Sequence, residues 1–97
     1  MRTRRLALHT WTLDTTPLAG VLSVIARAGW DAVELRRIDF RRAIEAGGRA
    51  DDVLDLVRAS GVAVASVGVE LGWMFAEGDE WRRLLGVFAE SCRWVNE

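Results

Sequence analysis

Acid–base side chains stand at the ends of three short apolar runs in this chain. In Arg27-Ala-Gly-Trp-Asp-Ala-Val-Glu-Leu-Arg36 an apolar strand closes on Glu34 and Arg36, and in Gly61-Val-Ala-Val-Ala-Ser-Val-Gly-Val-Glu70 another closes on Glu70. A third run, Leu6-Ala-Leu-His-Thr-Trp11, ends on the only histidine, His9, with Trp11 two residues later. Residues two apart share a face of a strand, so Glu34 and Arg36 point the same way. A half-buried charge needs a partner, so this pair reads either as an ion pair or as contacts to a ligand. An imidazole at such a position can hydrogen-bond a hydroxyl or carry a proton; its bland alternative is a buried ring satisfied by backbone.

These residues must be positioned by alternating strands and helices. Leu6 to Thr12 alternates, with Leu6 and Leu8 on one face and Ala7, His9 and Trp11 on the other. Thr16-Pro17 opens a helix whose Leu18, Val21, Leu22 and Ile25 form one apolar stripe, and Gly29 ends it. Ala32 to Leu35 is the second strand. Ile38 to Arg49 reads as a polar excursion with a helical turn around Arg41 to Ala46. Asp51 or Asp52 caps the next helix, buried through Val53, Leu54, Leu56 and Val57 and stopped at Gly61. Val62 to Val69 is apolar on both faces, as in a covered parallel sheet. Leu71 to Gly78 is a loop carrying Trp73, Met74 and Phe75. Asp79 then starts a helix with Trp81, Leu84, Leu85, Phe88, Cys92 and Val95 at helical spacing.

The order βαβαβα predicts an α/β fold with parallel strands and right-handed crossovers. A repeat of roughly 28–30 residues per unit is that of a (β/α)8 barrel of about 250 residues. The chain reads as three consecutive βα units of such a barrel, an incomplete barrel with bare edges on its first and third strands. Residues 1–97 form one domain, read as the N-terminal part of it.

Composition excludes several classes. The 97 residues carry 13 basic and 14 acidic side chains and no basic stripe, so nucleic acid is not an expected partner. All the basic residues are arginine, which fits codon bias better than phosphate binding. Arg4-Arg5 begins something like an export signal, but His9, Thr10, Thr12 and Asp14 interrupt the 7–15 apolar residues, roughly, that one requires. No run approaches the roughly 20 apolar residues of a membrane span, so no membrane partner is expected. A lone Cys92 fits a reducing cytoplasm and reads as an inert buried thiol. No glycine lies between His9 and Pro17, so a phosphate-cradling loop after the first strand is absent.

Leu6-Ala-Leu-His-Thr-Trp11, Ala28-Gly-Trp-Asp-Ala-Val-Glu-Leu-Arg36 and Val67-Gly-Val-Glu-Leu-Gly72 resemble the opening of the sugar phosphate isomerase/epimerase family, whose fold is the xylose-isomerase-like TIM barrel. The resemblance covers nearly the whole chain but less than half of the family's domain. It implies a divalent metal (Mn, Mg, Co or Zn) held by residues beyond Glu97, so no metal ligand is expected here. It also implies a sugar or polyol substrate and proton transfer next to a carbonyl. The ends of the first strands would form the substrate wall: His9, Trp11, Glu34, Arg36, Glu70 and Trp73, with the tryptophan rings stacking on a sugar's apolar face. Core packing is the default for Trp30, Trp81 and Trp94. The segment alone is expected to be catalytically silent. Two other readings stand beside this one. The first is a non-enzymatic α/β module that self-associates into a homo-oligomer. The second is an AP-endonuclease-like barrel, weakened by near-neutral charge and a single histidine.

Overall fold

The computed structural model describes residues 5–69 and 71–96. Strand β1 (Ala7–His9) leads into a 3-10 turn (Thr10–Leu13), then helix α1 (Leu18–Ala28), strand β2 (Ala32–Arg36), and helices α2 (Arg37–Glu45) and α3 (Ala50–Ser60). Strand β3 (Ala63–Gly68), a second 3-10 turn (Trp73–Phe75) and helix α4 (Gly78–Val95) follow. The three strands are all parallel in the order β1-β2-β3. The chain is therefore an α/β protein with an open parallel sheet and four helices.

The sheet alternates as its sequence dictates. Leu8, Val33 and Leu35 are buried beneath the helices with Val21, Leu22, Ile25, Phe40, Val53 and Val57. Each such side chain contributes roughly 1.5–3 kcal/mol by leaving water. Ala7, His9, Ala32, Glu34 and Arg36 lie on the opposite, uncovered face and are half-buried. In register, His9 sits opposite Glu34, Glu34 opposite Ser66, and Arg36 opposite Gly68. Ala65 has no partner, so a bulge interrupts β3 at its middle.

Helix α1 begins at Leu18, with Pro17 in the capping position and no side-chain cap, one residue later than the Thr16-Pro17 reading. It ends in a Schellman turn: Gly29 N–H donates to Ala26 C=O and Trp30 N–H to Ile25 C=O. Gly29 has φ 77°, a left-handed conformation in which a β-carbon crowds the following carbonyl. Trp30 then packs against the core, as expected for it.

Two expectations about these helices are corrected. The stretch after β2 is a nine-residue helix, α2, and not a polar excursion with a single turn. It starts without a Ser, Thr or Asn at its head, because Asp39 at its third position reaches back and accepts from Arg36 N–H at 2.8 Å. Helix α3 starts the same way: Asp52 accepts from Arg49 N–H at 2.7 Å, acting from inside the helix and not as the first capping residue.

Strand β3 is not covered. Ala63 to Ser66 are exposed, Val64 at 42%: β3 is paired only with β2, and α3 packs chiefly on α1 and α2 and touches β3 only lightly. Helix α4 begins at Gly78. Of its apolar stripe only Leu84 enters a buried position, whereas Trp81, Leu85, Phe88 and Val95 remain 38–46% exposed. Cys92 is exposed and not the buried thiol expected. Among the described residues no helix is long and apolar enough to cross a membrane.

Candidate functional site

Parallel strands deliver all their carboxyl ends to one rim, and this rim carries a hollow of about 390 Å³. His9, Trp11, Arg36, Ile38, Gly68 and Leu71 line it. Three of the residues singled out in the sequence, His9, Trp11 and Arg36, therefore meet at one place. Gly68 helps to open it, since the position opposite Arg36 holds no side chain.

His9 ends β1, and its Nδ1 accepts from the Trp11 backbone N–H at 3.1 Å. An accepting Nδ1 leaves the proton on Nε2, so the ring has its donor side free of this turn. This bond caps the 3-10 turn and swings Trp11 outward, where its ring is 63% exposed. Trp11 thus stands at the mouth of the hollow as a flat apolar wall.

Arg36 is held by three groups. Its Nε donates to Thr10 Oγ1 at 2.8 Å, and its Nη2 pairs with Asp14 Oδ1 at 2.8 Å and lies 3.9 Å from Asp39 Oδ1. Thr10, 1% exposed, in turn donates to Asp39 Oδ2 at 2.8 Å. Arg42 reaches the same loop, donating to Asp14 C=O at 3.0 Å and Asp14 Oδ1 at 3.2 Å. The hydrogen bond from Arg36 holds the Asp14 carboxyl below its ordinary value of 3.8. Partial desolvation works the other way, and Arg42 adds to the lowering. Arg36 Nη1 has no partner among the described residues, so the guanidinium, itself part of the hollow's lining, is fixed in place with donors to spare.

The expected Glu34–Arg36 pair is not made. Arg36 is at once the last residue of β2 and the residue heading α2, so its side chain turns toward the 3-10 turn and Asp14. Glu34 lies beside His9 in register, half-buried, with no hydrogen bond or ion pair among the described residues. It does not line the hollow.

Trp73 stands away from the hollow. Its ring meets Trp81 edge-on at 5.2 Å and Phe88 at 6.3 Å, so it packs on α4. Its buried Nε1 has no partner among the described residues. Glu70 lies outside the described residues. Thr10, Asp14 and Asp39 belong to the site and were not singled out in the sequence. The usable signals were Asp39 three residues past a strand end and a threonine on the buried side of an alternating run.

Among the described residues no group of three or more His, Cys, Asp or Glu side chains is placed to hold a metal ion. The rim offers one imidazole, one indole and one guanidinium, a set that binds hydroxyl and ring surfaces and not a hard cation. Fold and rim together define an α/β protein with a small polar-apolar hollow at its strand ends. Compared with family models, with curated proteins and with solved structures, the chain matches none of them.

Proposed function

We propose that this chain forms the substrate wall of a metal-dependent sugar isomerase or epimerase with a (β/α)8 barrel. The observation that carries the reading is the convergence of His9, Trp11 and Arg36 on one hollow at the common carboxyl rim, the end at which such barrels work. The resemblance of Gly29-Trp-Asp-Ala-Val-Glu-Leu35 and its neighbouring segments to the sugar phosphate isomerase/epimerase family supports it. The bare β3 edge and the uncovered sheet face suit strands that continue into a barrel wall.

In this reading the chain orients substrate. Trp11 offers its ring to the apolar face of a sugar, Arg36 Nη1 and His9 Nε2 donate to its hydroxyls, and the Thr10–Asp39–Asp14 network keeps the guanidinium from following the ligand. A divalent metal belongs to the whole barrel by resemblance. The described residues do not supply its ligands, and no step of the proton transfer is assigned to them.

The test is the mass and activity of the protein as its source makes it, detected through a peptide spanning Asp39 to Arg49. A species near the roughly 250 residues of a barrel, interconverting aldose and ketose with added metal, is the expected result. In it, Trp11→Ala raises KM severalfold with kcat little changed, the pattern of lost uniform binding. A species of 97 residues without that activity overturns the reading.

A further inference from the structure

The charges around the rim hollow cancel. Arg36 pairs with Asp14 at 2.8 Å and lies 3.9 Å from Asp39, and Arg42 reaches the same Asp14 at 3.2 Å, so two cations face two anions. Arg37, which also lines the hollow, is paired with Glu90. His9 accepts a hydrogen bond at Nδ1, as an uncharged imidazole does. Beside it in register stands Glu34, half-buried and with no ion pair among the described residues. Among the described residues the balance at this rim is therefore even, with Glu34 tipping it negative. Such a surface does not draw in an anion.

Donor geometry gives the same answer. A phosphate or carboxylate is gripped best by two parallel N–H groups of one guanidinium. Arg36 has already turned Nε to Thr10 and Nη2 to Asp14, each at 2.8 Å. Its Nη1 is left as a single donor, which matches one hydroxyl. His9 Nε2 is a second single donor, and the exposed Trp11 ring is a flat apolar wall beside them.

Gly68 supplies the room. It stands opposite Arg36 in an ordinary strand conformation, outside the left-handed region that calls for glycine. A β-carbon at this position would meet only the Leu35 carbonyl oxygen among the described residues, at 3.7 Å, an ordinary contact. The backbone does not require glycine here. The hollow does, because a side chain on Gly68 would take up part of it.

We infer that this hollow is a subsite for an uncharged, hydroxyl-bearing ring, that a phosphate or carboxylate on the same ligand points away from it, and that Gly68 sets the size of ring admitted. The inference deepens the reading of this rim as a substrate wall and rests on it.

The test is binding, not turnover, by the protein as its source makes it. Methyl glucoside, galactoside and mannoside, which cannot open to a carbonyl, are compared with their phosphate esters by titration calorimetry. At least one neutral glycoside is expected to bind, and Gly68→Val to weaken it severalfold with the urea midpoint unchanged or raised. Arg36→Gln should weaken the neutral glycoside severalfold and its phosphate ester by no larger factor, because each loses one hydrogen bond to a hydroxyl. Should one variant misfold, the other decides. No binding of any neutral glycoside, a folded Gly68→Val protein that binds as well as the unaltered one, or a larger Arg36→Gln loss for the phosphate ester overturns the inference. Aldose–ketose interconversion alongside any of these sinks the subsite alone. The expected binding without interconversion sinks the isomerase assignment and leaves the subsite.

Discussion

Arg36 shows how one residue serves three levels of the molecule. Its backbone N–H heads α2 by donating to Asp39, its Nε orders Thr10, and its Nη2 ties down Asp14. Removing any of these partners leaves a poorly solvated charge or donor at the rim, which costs more than the bond itself contributes. The network also has a pH signature. The folded state holds the Asp14 carboxyl below its ordinary value of 3.8 through Arg36, so this stabilisation is complete above that value. It is lost as pH falls through the lower, folded-state value, when the carboxylate takes up its proton. Denaturant midpoints measured from neutral pH down to about pH 3 should therefore fall below about pH 4. In Asp14→Asn that fall should be shallower. Identical slopes for the two proteins would remove Asp14 from the account of acid sensitivity.

Helix α2 carries the element-scale lesson. Its residues Arg37-Ile-Asp-Phe-Arg-Arg-Ala-Ile-Glu45 are mostly polar, yet Phe40 is wholly buried and stacks on Trp94 of α4 at 5.9 Å. Arg37 joins the same contact, lying 4.4 Å over the Trp94 ring and donating to Ser91 Oγ at 2.9 Å. One aromatic residue thus fastens two helices and the end of β2. Phe40→Ala should cost about 3–5 kcal/mol through lost burial and the cavity it leaves, read from the urea midpoint. A loss below about 1 kcal/mol would mean that α4 does not depend on this contact. Local pattern missed the helix because it has a short apolar stripe and begins on arginine. Its real start signal is Asp39 reaching backward, a device repeated by Asp52.

At the scale of the whole molecule, stability is unevenly spread across the sheet. β2 is paired on both sides and covered by helices, whereas β3 is paired on one side and exposed along Ala63 to Ser66. Amide hydrogen exchange should therefore be slowest at Val33 and Leu35 and fast along β3. Equal protection in β2 and β3 would show that a partner covers the bare edge in solution. The covered face builds the core and the uncovered face carries His9, Glu34 and Arg36, so binding residues and stabilising residues are segregated by strand alternation.

Period and punctuation in the residues already indicated three strands, the helix ends at Gly29 and Gly61, the parallel α/β order and the bare outer edges, but not the 3-10 turn that ends β1 at His9 or the exposure of β3. These follow from interactions between residues close in sequence: alternation, apolar spacing and left-handed glycine caps. His9 and Arg36 were legible as rim residues for the same reason, because a parallel strand can deliver its last residue to only one end; Trp11 reaches the rim on the 3-10 turn that follows β1, not by strand alternation. The partner of Arg36 was not legible. Alternation points it to Glu34, but the turn after β1 brings Asp14 and Thr10, over twenty residues away, into closer reach. Trp81 and Cys92 read as buried and are instead exposed, and Trp73 packs on α4, since an apolar stripe shows which side of a helix avoids water and not whether anything covers it. Only the tertiary arrangement decided that Leu84 meets the body of the protein and that the stripe beside it faces outward, because that choice depends on contacts between elements far apart in the chain.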